Sequence, residues 1–120
     1  MTETIKNDDY IFNYISNKSI KNIMTDEIKY FFSDKRKICM VKTDNEKIEF
    51  YGKLSDIEAD LSKVPFVRTH QSYLVNYYLI RSRTKIEITL VNGKKLPISE
   101  ERQKYFNQQY SHLLGGEINV

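Results

Sequence analysis

Asn92-Gly93 sits between an alternating run, Lys85–Val91, and a returning one, Lys94–Ile98. Both turn residues tolerate positive φ, the backbone that a tight hairpin requires. The chain is therefore committed to an antiparallel pair, and the same punctuation recurs along it. Asn17-Lys18 separates Tyr10–Ser16 from Ile20–Met24, and Asp44-Asn45 separates Ile38–Thr43 from Lys47–Tyr51. Each run is of strand length, as are Ile28–Phe32 and Tyr77–Ser82. The expectation is a mainly β domain of about eight to ten short strands. Its inward positions read as Ile11 and Ile15, then Ile86, Ile88 and Leu90, then Leu96 and Ile98. Pro97 has no amide hydrogen to give a ladder, so its strand belongs at an edge or near its own end. Three aromatics in a row, Tyr30-Phe31-Phe32, imply burial on both faces of a strand or an aromatic exposed for function.

Two segments break the pattern. Leu54, Ile57 and Leu61 share one face of a short middle helix, and Ser55 with Glu58 three residues on has the form of a capping box. Pro65 then forces Val64 out of helical geometry. Near the end, Ser99 is placed to cap a second helix, with Glu100 and Glu101 favourable to its dipole. Phe106, Tyr110 and Leu113 give that helix an apolar face, and Gly115-Gly116 stops it. Ser33-Asp34-Lys35-Arg36-Lys37 reads as a loop with three consecutive cations.

A length of 120 residues suggests one domain. No apolar run approaches the roughly 18 residues of a membrane span. The polar, acidic start is no signal peptide. One cysteine, Cys39, excludes an internal disulfide and reads as a small buried hydrophobe. A cytoplasmic location is the default. Net charge is only +3, but it is uneven. Residues 1–60 carry 10 basic and 12 acidic side chains, whereas residues 61–120 carry 9 and 4. That asymmetry favours an anionic partner for one face, against the plainer reading of a solvated surface of mixed sign.

The densest set of hydrogen-bonding side chains is Arg68-Thr69-His70-Gln71-Ser72. Phe66 and Val67 flank it on one side, and Tyr73, Leu74 and Val75 on the other. Such an anchored polar loop can present several groups to something outside the fold. His70 and Ser72 would share a face of a strand, yet no Gly-rich elbow or nearby Asp completes a catalytic triad. His70 and His112 lie too far apart in sequence to suggest a metal site. No glycine-rich phosphate loop occurs. The reading is not an enzyme, with no cofactor.

The segment resembles LytTR-type DNA-binding domains, the output modules of many bacterial response regulators of two-component systems. Their pattern is aromatic-x-Arg-x-His-x-Ser-aromatic-x-Val-Asn. Phe66, Arg68, His70, Ser72, Tyr73, Val75 and Asn76 fit it, seven defined positions in eleven. Ile48–Leu54, a strand, a glycine and a helix start, is similar to the layout that precedes that segment in the family. Leu96-Pro97-Ile98-Ser99 is similar to the strand that ends it. The resemblance runs from about residue 10 to residue 114. It leaves residues 1–9 as a flexible N-terminal segment and residues 115–120 as a C-terminal tail.

The resemblance implies an elongated β-sandwich of about ten short strands, with loops along one side entering successive DNA grooves. The function implied is sequence-specific binding of double-stranded DNA by a transcription regulator. Gln71 falls where the family places a base-reading side chain, and a Gln amide pairs bidentately with adenine. Arg68, His70 and Ser72 would touch phosphates or hold the loop. Lys35, Arg36 and Lys37 occupy the first loop, with Arg36 matched to guanine. Ser99, Arg102 and Lys104 form the third contact, where Glu100 and Glu101 depart from the basic residues usual in the family. Implied partners are promoter repeats, a second copy on tandem sites, and a receiver domain not present in this chain, with no membrane. The alternative is a protein-interaction module using Tyr30–Phe32 or Tyr77-Tyr78.

Overall fold

Ten strands in three sheets make up the computed structural model, which describes residues 10–104. The strands are β1 (Ile11–Ser16), β2 (Ser19–Met24), β3 (Ile28–Asp34), β4 (Lys37–Lys42), β5 (Lys47–Tyr51), β6 (Phe66–His70), β7 (Tyr73–Asn76), β8 (Ile80–Arg83), β9 (Glu87–Leu90) and β10 (Lys95–Pro97). One helix, α1 (Leu54–Asp60), follows β5. A second helical turn covers 100–104. Residues 1–9, and the expected apolar face Phe106, Tyr110 and Leu113 with Gly115-Gly116, lie outside the described residues.

The centre is a five-stranded antiparallel sheet in the order β5-β4-β3-β7-β6. Strand side chains alternate between faces, so each central strand feeds two cores. On one face, Phe31, Ile38, Met40, Phe66 and Leu74 pack with Leu54 and Ile57 of α1, with Leu61 at its C-cap and with Phe12 of the β1–β2 hairpin. On the other, Tyr30, Cys39, Val41, Val67 and Val75 pack with Ile88, Leu90, Leu96 and Ile98 of the β10-β9-β8 sheet. Tyr30 and Phe31 are thus interior residues of opposite cores, which removes Tyr30–Phe32 as a contact patch. Each fully buried aliphatic or Phe side chain contributes on the order of 1.5–3 kcal/mol.

The turns follow local chemistry. Asn17 (φ 51) and Lys18 (φ 64) are both left-handed, the tight hairpin form. In the β9–β10 turn only Gly93 (φ 91) takes positive φ. Its amide donates to Leu90 O at 2.8 Å, a turn over Val91-Asn92 closed by a glycine bulge rather than a two-residue turn on Asn92-Gly93. Pro97 lies in the edge strand β10, where the missing donor costs nothing.

Several sequence expectations are corrected. In β1 the inward residues are Phe12 and Tyr14, while Ile15 is 66% exposed. Phe12 meets Phe31 edge-on at 5.1 Å and Phe50 at 5.9 Å, so aromatic burial decided which parity faces in. Ile86, expected inward, is 64% exposed because β9 starts only at Glu87. The Thr84 hydroxyl accepts from the amides of Ile86 and Glu87 and turns the chain there instead. Tyr77–Leu79 is a 3-10 turn before β8. The capping box does not form: Lys53 is the N-cap of α1, with no side-chain cap bond, and Ser55 lies inside the helix.

Candidate nucleic-acid interface

Antiparallel register places three separate segments at one end of the molecule. Asp34↔Lys37 closes the β3–β4 hairpin over Lys35-Arg36, and His70↔Tyr73 closes β6–β7 over Gln71-Ser72. Phe32 pairs with Tyr73, so β3 and β7 bring the two tips side by side. The Ser33 amide donates to Ser72 O at 3.0 Å. The Ser99 amide donates to Thr69 O at 2.9 Å, which fastens the third segment to β6. The Gly52 amide donates to Arg36 O at 3.1 Å and fixes the end of β5 to the first tip.

The first tip is shorter than its sequence suggests. Ser33 and Asp34 finish β3 and Lys37 starts β4, leaving a two-residue turn with Lys35 at φ 61. Lys35, Arg36 and Lys37 are all exposed. Lys37 Nζ lies 5.9 Å from the centre of the Tyr51 ring.

The β6–β7 tip is braced from inside. Arg68 is 7% exposed, and of its two expected roles the one it fills inside the fold is to hold the loop. Its Nε donates to His70 O (3.0 Å), Nη2 to Gln71 O (2.5 Å) and Nη1 to Glu58 Oε1 (2.7 Å). A guanidinium offers five donors in a rigid fork, and here three directions hold the turn and the helix together. Glu58 supplies the opposite charge that a poorly solvated Arg requires. Its spacing from Ser55 suggested a cap instead. No local signal marks a pairing ten residues apart across a helix and a strand.

His70 is half-buried, and its Nδ1 accepts from the Ser72 amide at 3.0 Å. That nitrogen serves the turn's own amide rather than the Ser72 hydroxyl. The His70 ring meets Tyr73 edge-on at 5.8 Å. Asn76 is structural: its amide donates to Ile28 O at 3.0 Å and its Oδ1 accepts from the Tyr78 amide. Gln71 differs from its neighbours. Its carbonyl is held by Arg68, its side chain is exposed, and among the described residues nothing pairs with its amide group.

Ser99, half-buried, precedes the helical turn at 100–104, and its carbonyl accepts from the Arg102 amide at 2.9 Å. Glu100, Glu101 and Lys104 are exposed, and Arg102 is half-buried. The third segment thus exposes two carboxylates and one ammonium group. Cys39 is buried in β4, and burial, then nearby Glu49, pushes its thiol above the ordinary range. Among the described residues no three His, Cys, Asp or Glu side chains come together as a metal site, and no helix is long and apolar enough to cross a membrane. His112 lies outside them.

Residues 18–111 match the family described as the LytTr DNA-binding domain. The transcriptional regulatory protein NatR of Bacillus subtilis is 30% identical over 76 residues, covering 58% of this chain and 33% of that protein. The sensory transduction protein LytT of Enterococcus faecalis is 26% identical over 85 residues, covering 67% of this chain and 35% of that one. The chain therefore spans about a third of the length of these curated relatives. A solved LytTr DNA-binding domain of a putative methyl-accepting/DNA response regulator from Bacillus cereus superposes with a TM-score of 0.70. It is 19% identical, with 84% of this chain and 96% of that chain covered. That likeness speaks to the fold.

Proposed function

The chain belongs to the LytTr DNA-binding domain family, and from that premise we propose that it binds specific double-stranded DNA by laying its three clustered segments along successive grooves. The observation that supports this reading most is the Ser33–Ser72 backbone bond, which holds the cationic tip and the Gln71 tip side by side. Gln71 is the base reader, since a free side-chain amide on a braced backbone can pair with adenine N6 and N7. Arg36 reads guanine, and Lys35 and Lys37 hold phosphates. Ser72 adds a phosphate contact, and His70 positions the turn. Arg68 acts from beneath as a brace rather than a contact. Ser99, Arg102 and Lys104 make the third contact, weakened by Glu100 and Glu101, whose charge opposes phosphate.

In a longer protein this domain would serve as the output of a transcription regulator, joined to a receiver domain and working in the cytoplasm. Two copies would occupy tandem sites. The domain itself extends over residues 10–114.

Selection of bound fragments from random duplex DNA tests the reading. Two similar short sites about 10 base pairs apart are the expected outcome. Recovery of no preferred sequence would sink it. A protein contact is the second reading, now confined to the opposite end of the molecule. There Tyr78, 74% exposed, borders a hollow of about 370 Å³ lined mainly by apolar side chains. Binding through that hollow would be insensitive to salt, whereas phosphate-dominated binding falls steeply with ionic strength.

A further inference from the structure

Between the two tips and the start of α1 lies a cleft of about 510 Å³ that the three segments do not account for. Lys35 and Arg36 form one wall, Gln71 another, and Tyr51, Gly52 and Lys53 a third, with Arg68 also lining it. We propose that this β5–α1 junction is a fourth DNA contact, in which Tyr51 and Lys53 seat a backbone phosphate in the cleft beside Gln71. The inference rests on the DNA-binding reading and deepens it by naming where the duplex is anchored.

Charge decides the occupant. Arg68 has its carboxylate partner in Glu58 at 2.7 Å, so neither brings net charge to the cleft. Lys35, Arg36 and Lys53 remain, all exposed, and no other acid lines it. Three cations around a hollow large enough for a sugar–phosphate unit suit an anion. Tyr51 is 77% exposed and lines the cleft, so its phenol is open to a ligand there. Its ring is steadied by Lys37, and its hydroxyl is a donor of the kind that binds phosphate oxygens. The Gly52–Arg36 backbone bond keeps the wall at a fixed distance from the first tip. A phosphate held here would set the register in which Gln71 meets the base edges.

Lys53→Gln, Lys53→Arg and Tyr51→Phe are titrated with a mixed-sequence duplex of about 30 base pairs across a range of salt, and each is put through the random-duplex selection. Both side chains are exposed, so unfolding midpoints should not move. Lys53→Gln should flatten the plot of log affinity against log salt by about one charge, with base preferences unchanged. Lys53→Arg should restore the slope. Tyr51→Phe should weaken binding by about twofold to tenfold without changing the slope. Wild-type binding with all three variants matching it would overturn the fourth contact and leave the DNA reading intact. A Lys53→Gln variant that changes base preference in place of the slope would overturn the phosphate assignment. Failure of the wild-type chain to bind any duplex would remove both.

Discussion

Ser33, near the end of β3, and Ser72, in the β6–β7 turn, are almost forty residues apart, yet the amide of one donates to the carbonyl of the other at 3.0 Å. The two hairpins cannot shift independently while that bond holds. Whatever Gln71 touches, Lys35 and Arg36 meet at a fixed offset. Consequences for binding and for stability can be separated residue by residue.

Gln71→Ala should relax preference at one or two base positions, a discrimination worth about 1–3 kcal/mol, and leave thermal stability unchanged. The side chain is exposed and carries no internal bond among the described residues. Sequencing of DNA selected by the variant and by the wild type measures this. Equal loss across all sequences would show that Gln71 anchors rather than reads.

Lys37→Ala should weaken every sequence alike and lower the salt slope by about one. Competition between unrelated duplexes at two salt concentrations is the check. A preference that changes with the mutation would place Lys37 at a base.

Arg68→Ala should destabilise the fold by about 3 kcal/mol, read as the shift in a urea unfolding midpoint. Removal takes a donor from two turn carbonyls and leaves the Glu58 carboxylate without its partner. Arg68→Lys should rescue little, because one ammonium cannot span three acceptors set in a fork. Full stability in the Lys variant would mean that charge, and not the fork, braces the turn.

His70→Ala should cost about 1 kcal/mol and speed hydrogen exchange at the Ser72 amide, which loses its acceptor. Exchange rates from two-dimensional NMR decide it. A Ser72 amide that exchanges at the wild-type rate would show that the turn holds without the imidazole.

Stability should fall at alkaline pH. Burial raises the Cys39 thiol above its ordinary range, and burial with the neighbouring Tyr73 raises the Tyr30 phenol. Both are neutral below their unfolded pKa values, where the folded state keeps its full advantage. As pH rises past those values the unfolded chain sheds protons that the folded chain retains, so stability declines until the folded pKa values are passed. Unfolding midpoints from pH 7 to 11 should show this decline. At neutral pH Cys39 should react with a thiol reagent slowly in the native protein and quickly in urea.

Much of the framework was readable before any coordinates. Asn17-Lys18, Asp44-Asn45 and Gly93 fix turns through φ, a property of single residues, and Pro97 fixes an edge through a missing donor. What escaped depends on partners distant in sequence. Ile15 and Phe12 are equally apolar by pattern, and only the aromatics waiting at Phe31 and Phe50 decide which turns inward. Arg68 looks like a surface cation in any local window, because its carboxylate partner, Glu58, reaches it only when the helix folds back. Of the contact residues expected, Lys35, Arg36, Lys37, Gln71 and Ser72 do gather at one end, together with Ser99. Tyr51 and Lys53 lie within Ile48–Leu54, which was read for its layout alone, and as contacts they emerged only from the cleft they line.

The tips are fastened main chain to main chain, at Ser33 to Ser72, Ser99 to Thr69 and Gly52 to Arg36, and none of these links uses a side chain. Positions 36 and 71 can therefore exchange one amino acid for another without remodelling what holds them, while position 35, at φ 61, accepts only residues at ease in the left-handed region. A scaffold of that kind separates its vocabulary from its grammar: new target sequences become accessible by substitution at the tips, with the frame left untouched.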